Sequence, residues 1–192
     1  AGGGALNVKL NQRIVQLPHV SELFVQPASG DSGTALGAAT YVATARGEQL
    51  APMTHVYLGP GYSNERCLES IQGRREVLHY QRLDNVPEQV ATLLTAGHPV
   101  AWFQGRMEFG PRALGARSIL GCPNATGIAD RINAQIKFRE RWRPFCPSVL
   151  DEVAADIIQT DHPAPFMTIT FDVNEAWKSR IPEVVHEDGT AR

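Results

Sequence analysis

The stretch GRMEFGPRALGARSIL, residues 105–120, sets Arg106, Arg112 and Arg117 around a Gly-Pro turn. No amphipathic repeat accounts for them. A guanidinium is a planar fork that grips phosphate or carboxylate oxygens in pairs, and it stays charged at every relevant pH. Each such charge-assisted bond contributes about 1.5–3 kcal/mol, so three or four converging cations hold a dianion firmly. Further cations follow: between Arg106 and Arg143 there are eight basic residues against Glu108, Asp130 and Glu140, a local charge of +5. The whole chain carries −2, so the remainder carries −7. A basic island in an acidic protein points to an anionic ligand held locally, whereas a general nucleic-acid binder is more often basic throughout. Arg139 and Arg141 are equally well read as surface charges paired with neighbouring carboxylates. Arg112, beside Pro111 in a small-residue segment, is read as functional.

Other chemistries have less support. The six histidines show neither HxxxH nor HExxH spacing. One of them, His186, stays a candidate because it lies near Asp188 in a polar tail that ends in Arg192. No serine or cysteine occupies a GxSxG elbow. Cys67, Cys122 and Cys146 are far apart and odd in number, which fits neither a disulfide framework nor a zinc site and is expected of a reducing cytoplasm. Trp102, Trp142 and Trp177 do not alternate with basic residues as a stacking surface for nucleic acid would.

The elements that must position these side chains can be read from periodicity and punctuation. AGGGALN reads as a glycine turn opening a helix, where backbone N–H groups can approach phosphate or sugar. LFVQP, residues 23–27, reads as a short buried strand. A small-residue helix is predicted from about Ser32 to Arg46, its alanines and glycines implying close packing. Asp31 stands just before it, either as a cap or as a metal or nucleotide ligand. GEQLAPMTHVYLGPGYSNE reads as a connector, with a boundary near residues 47–58. Helices are predicted over residues 64–72 and 87–96, the second stopped by Gly97-His98-Pro99. VAWFQG then forms a buried strand that delivers the arginine motif at its carboxyl end, where α/β folds bind ligands. Ile128, Ile132 and Ile136 make one apolar stripe on a helix over residues 126–139. A helix over 151–159 and a half-buried strand over 166–173 follow.

With 192 residues, 43% hydrophobic and 20% charged, the chain suits one large or two small globular units. No apolar run approaches the ~18 residues of a membrane helix, and the opening is not a secretory leader. Both ends read as internal, so a longer parent chain is expected. The cytoplasm is the expected location.

GRMEFGPRALGARSIL, DRINAQIKFRERWRPFCPSVL and VVHEDGTAR together resemble the C-terminal domain of the NodU/CmcH-type O-carbamoyltransferases. GGGALNVKLN and PASGDSGTALGAA resemble the end of that family's N-terminal domain. The resemblance spans nearly the whole chain. It implies an α/β (mixed α+β) chain: residues 1–50 ending an actin-like/sugar-kinase ATPase domain, and residues 51–192 forming a YrdC-like twisted-sheet domain cut short at its end. It also implies an enzyme that uses carbamoyl phosphate and ATP, with Mg²⁺, to form carbamoyl adenylate. The carbamoyl group then passes to an acceptor hydroxyl on an antibiotic, nodulation factor or similar metabolite. Matching positions assign Arg112, Lys137, Arg143 and Arg192 to the catalytic cage. Arg106, Glu108, Arg117, Ser148, His186 and Asp188 are assigned to substrate binding, Gly2, Gly3 and Asn7 to nucleotide binding, and Asp31 to a metal. Iron or another divalent metal is implied for the parent protein, whose paired metal-binding histidines have no match here. Ala116 stands where relatives often have asparagine, and Cys146 where alanine is usual. The competing readings are a non-catalytic nucleotide- or RNA-binding YrdC-like module and a folded scaffold inactive alone. Neither a membrane nor nucleic acid is an expected partner.

Overall fold

The computed structural model describes residues 1–160 and 162–192. The chain mixes helices and strands in an α/β arrangement: four α-helices precede the first strands, and the two sheets among the described residues are each a pair of short antiparallel strands.

The glycine turn forms as read. Gly2 takes φ 96°, a left-handed conformation that costs glycine little, and its N–H donates to the Ser29 carbonyl at 2.7 Å. A 3-10 turn, Gly3–Leu6, leads to Asn7, whose side-chain oxygen accepts from Leu10 N at 3.1 Å and caps α1 (Val8–Val15). The buried residues of α1 are polar: Asn11 and Gln12. Burial obliges them to find partners. Asn11 donates to the carbonyls of Ala5 and Thr168, both at 2.8 Å, and Gln12 accepts from the Thr170 hydroxyl at 3.0 Å. These bonds join the first helix to a segment more than 150 residues away.

Residues 23–26 carry no regular secondary structure and Pro27 opens a turn; Val25 and Pro27 are buried, but the segment joins no ladder among the described residues. The predicted strand is therefore corrected to an unpaired segment: a strand needs a partner for its backbone hydrogen bonds. α2 (Thr34–Ala45) follows a 3-10 turn, Asp31–Gly33. None of its residues is buried, so the expected tight packing of its alanines does not occur. The close approach is at Gly33 instead, where an added Cβ would meet the Ala28 carbonyl oxygen at 2.0 Å.

α3 (Asn64–Gln72) has its predicted bounds, with Ser63 as its cap, and α4 (Val86–Thr95) starts at the Asn85 cap one residue before Pro87. β1 (Val100–Phe103) pairs with β2 (Arg117–Leu120), matching Val100 to Leu120 and Phe103 to Arg117. β1 was expected to be buried, yet Phe103 is 62% exposed because this two-stranded sheet has one uncovered face. The loop between β1 and β2 carries the arginine motif. Glu108 organises it: its Oε1 accepts from Leu114 N at 2.6 Å and Ala116 N at 2.8 Å, while Oε2 lies 3.2 Å from Arg117 Nε. Burial pushes this carboxyl's pKa up, but the two N–H donors and Arg117 outweigh it and hold the group below the usual range.

The helix predicted over 126–139 is broken. α5 (Ile128–Ile132) widens into a π turn, Asn133–Lys137, which ends at Phe138 with φ 47°. Ile128 and Ile132 are buried but Ile136 is 41% exposed. The apolar stripe turns outward at Asn133, which is fully buried and donates to the carbonyls of Arg141 and Arg143. α6 (Ala154–Ile157) is shorter than expected, because Ile158 turns extended and bridges Val173. The strand predicted over 166–173 shrinks to β3 (Phe171–Asp172), with Met167 at φ 54° interrupting the extended run. α7 (Glu175–Lys178) intervenes before β4 (Thr190–Ala191), which pairs with β3. Ile157, Val173, Ile181, Val184 and Ala191 form the core beneath this sheet.

Lys9 on α1 reaches Asp188 at 2.8 Å, tying the first helix to the tail. The bond from Lys9, then that from the Thr190 hydroxyl, lowers the Asp188 pKa to about 2 from 3.8. A depressed carboxylate stabilises the fold above its unfolded pKa and loses that contribution as pH falls through the folded one. Asp188→Asn should therefore cost stability at pH 7 and nothing below about pH 2. Half-exposure limits the loss to under about 1 kcal/mol, measurable by urea unfolding at the two pH values. Glu108→Gln leaves the partly buried Arg117 guanidinium and two N–H groups short of a carboxylate, and should lower unfolding free energy by about 1–3 kcal/mol in the same assay.

Candidate anion-binding site

Four arginines from three separated segments line one recess of about 350 Å³: Arg112, Arg139, Arg143 and Arg192, with Glu140, Trp142 and Pro144. Arg112 arrives on the β1–β2 loop. Arg139 and Arg143 follow the π turn, and Arg192 lies just beyond β4. Asn133 is the organiser of the second group. Its side-chain oxygen accepts from Arg139 Nε at 2.5 Å, and its amide holds the two carbonyls already named. The Arg139 guanidinium also sits 4.7 Å from the centre of the Phe145 ring. Arg192 is fixed through its backbone, whose carbonyl accepts from the Cys146 thiol. Burial pushes that thiol up to about 11, so it stays protonated and keeps its donor.

The electrostatics of the recess are uncompensated. Four guanidiniums face Glu140, which approaches Arg143 only to 3.9 Å. Burial first, and then the neighbouring Arg112, Arg139 and Arg143, lower the Arg192 pKa. Burial and Arg143 act likewise on Arg139. Lys137 is lowered by burial and then by Arg139 and Arg143, which places it in the same positive field although it does not line the recess. The Nε atoms of Arg112 and Arg192 are buried without a hydrogen-bond partner in the protein. Partly desolvated like charges with spare donors favour an anion over a cation at this recess.

The other candidate residues lie elsewhere or are already engaged. Arg106 donates to the carbonyls of Gly59 at 2.7 Å and Leu58 at 3.1 Å, pinning the connector. Arg117 is held by Glu108 and by the Gly110 carbonyl at 2.5 Å. Asp188 is occupied by Lys9 and Thr190. His186 is half-buried behind Arg192. Its Nδ1 is 3.3 Å from the Thr190 hydroxyl, its Nε2 is buried without a partner, and burial followed by Arg192 lowers its pKa. Ser148 is exposed. In the glycine turn, Gly2 and Gly3 have open space where a Cβ would stand, while the Asn7 oxygen already caps α1.

Asp31 is exposed at the start of its 3-10 turn. Among the described residues no group of three His, Cys, Asp or Glu side chains could hold a metal ion. One carboxylate gives a divalent cation too few ligands, so these residues alone do not fit one. No helix among the described residues is long and apolar enough to cross a membrane.

Sequence spacing did not separate Arg139 from Arg141. The Asn133 contact does: Arg139 turns into the recess, while Arg141 pairs with Asp130 at 3.2 Å on the exposed surface. Trp142, at 77% exposure, had no sequence signal beyond its basic neighbours.

Comparison with known proteins agrees with the motifs. The family described as Carbamoyltransferase C-terminus matches residues 91–192, and that described as Carbamoyltransferase N-terminus matches residues 1–40. Over 199 residues the chain is 41% identical to nodulation protein NolO of Bradyrhizobium diazoefficiens, covering all of this chain and 36% of that protein. It is 41% identical over 202 residues to nodulation protein NolNO of Sinorhizobium fredii, covering all of this chain and 29% of that protein. With nodulation protein U of Rhizobium tropici the identity is 37% over 194 residues, again covering all of this chain and 32% of the relative. The chain thus spans about a third of the length of the curated relatives it matches. Resembling the family in its arginine motifs and matching both of its regions, the chain belongs to the carbamoyltransferases.

Proposed function

We propose that the recess is the carbamoyl-phosphate and ATP site of an O-carbamoyltransferase, with Arg112, Arg139, Arg143 and Arg192 as its phosphate-binding cations and Lys137 adding to their field. The observation that carries this reading is the convergence of four guanidiniums on one cavity with a single weakly paired carboxylate among them. Both substrates are polyanions, and each supplies the negative charge the cavity lacks. Membership of the carbamoyltransferase family supports the choice of carbamoyl phosphate over other phosphorylated ligands.

In this reading carbamoyl phosphate is hydrolysed to carbamate and inorganic phosphate. A carbamate oxygen then attacks the α-phosphorus of ATP, breaking the α–β phosphoanhydride and releasing pyrophosphate. The product is carbamoyl adenylate. An acceptor hydroxyl later attacks its carbonyl carbon, AMP leaves, and the hydroxyl proton goes to solvent or a base. Charge builds on phosphate oxygens in the adenylation step, and fixed guanidiniums stabilise it without reorganising. A small recess also shelters carbamate, which decomposes in water. Mg²⁺ would accompany the ATP phosphates. Acceptor binding, and any resident metal, would belong to the part of the relatives' length that this chain does not span. The glycine turn at Gly2, Gly3 and Asn7 remains the proposed nucleotide-binding edge of that transfer region.

Arg112→Ala, Arg143→Ala and Lys137→Ala should each lower carbamoyl-phosphate-dependent pyrophosphate release by about a hundredfold or more. Arg141→Ala, whose side chain points away to Asp130, should leave it unchanged. Unaltered release in the first three variants would remove the site assignment. tRNA retained on filters should stay at background across a salt series, since the cations line a concavity rather than an open surface.

A further inference from the structure

The recess contains a large aromatic side chain that phosphate binding does not use. Trp142 lines it together with the four arginines, yet it is 77% exposed. An indole is a costly group to leave in water. Among the described residues it has no aromatic or cationic partner that would explain its position. The aromatic side chains carrying a guanidinium among the described residues are Phe145, under Arg139, and Trp177, under Arg180 at 3.9 Å. Trp142 is in neither pair and in no ring–ring contact among those residues. At 77% exposure most of its indole is open to solvent, at the edge of a cavity lined otherwise mainly by arginines. A ligand that satisfies both halves has phosphates at one end and a flat aromatic ring at the other.

We propose that Trp142 stacks on the base of a nucleoside polyphosphate whose phosphates are held by Arg112, Arg139, Arg143 and Arg192. This deepens the reading above and rests on it, since carbamoyl phosphate has no ring to stack. Trp142 is thus a specificity-determining residue that selects the nucleotide over other polyanions. Stacking is tolerant of base identity, because every base presents a π face, so Trp142 discriminates nucleotide from inorganic polyphosphate more than ATP from GTP.

The test compares ATP with inorganic tripolyphosphate, which share a phosphate chain and differ in the nucleoside, using the intact protein and titration calorimetry. Trp142→Ala should weaken ATP binding by about tenfold and leave tripolyphosphate binding unchanged, and Trp142→Phe should restore most of the loss. ATP, but not tripolyphosphate, should quench a part of the tryptophan emission that Trp142→Phe removes. Equal weakening of both ligands in Trp142→Ala, or of neither, would overturn the stacking role while leaving the anion site standing. If the intact protein binds neither ligand, the anion-site reading itself falls, and the stacking role with it.

Discussion

Four guanidiniums held within one small recess repel one another, and the surrounding structure exists in part to oppose that repulsion. At an effective dielectric typical of a protein surface, two unit charges a few ångströms apart cost several kcal/mol. Here the cost is borne by contacts that fix each arginine from outside the recess. Asn133 holds the Arg139 side chain and the backbone at Arg141 and Arg143. The Cys146 thiol holds the carbonyl of Arg192. Glu108 holds the loop on which Arg112 rides.

The same view explains the π turn. A regular helix from Ile128 onward would have carried the apolar stripe through Ile136 and kept Arg139 on its path. Widening the coil at Asn133 buries that amide beneath the chain reversal and re-aims the residues that follow. The left-handed conformation at Phe138 completes the change of direction. Local strain beside the recess is thereby compensated by a fully buried Asn133 side chain that makes three hydrogen bonds.

The long-range connections are polar. α1 docks on the segment before β3 through Asn11 and Gln12, and on the tail through Lys9 and Asp188. Such contacts demand specific geometry, because a buried amide without its partner is costly. They also set α1 beside the residues flanking the β3–β4 pair, Thr168, Thr170 and Asp188. An apolar interface of equal area would tolerate sliding that this one does not.

Much of this was legible in the residues themselves. Caps and stops set α3 and α4 to within a residue, because Ser63, Asn85 and Pro87 act locally. The excess of positive charge after residue 105 marked a basic cluster, and motif resemblance grouped Arg112, Lys137, Arg143 and Arg192, of which Arg112, Arg143 and Arg192 line the recess and Lys137 does not. Other features depended on neighbours that spacing does not reveal. Residues 23–27 have the composition of a strand but no partner to pair with, and the residues before Phe171 lose their extended run at Met167. Arg106, Arg117, Arg139 and Arg141 are alike as letters. Which of them lines the recess was decided by the carbonyls of Leu58 and Gly59, the carboxylates of Glu108 and Asp130, and the amide of Asn133. Sequence fixes the type and number of charges because these are properties of single residues. Direction is a property of pairs, and the pairs form only when distant segments fold together.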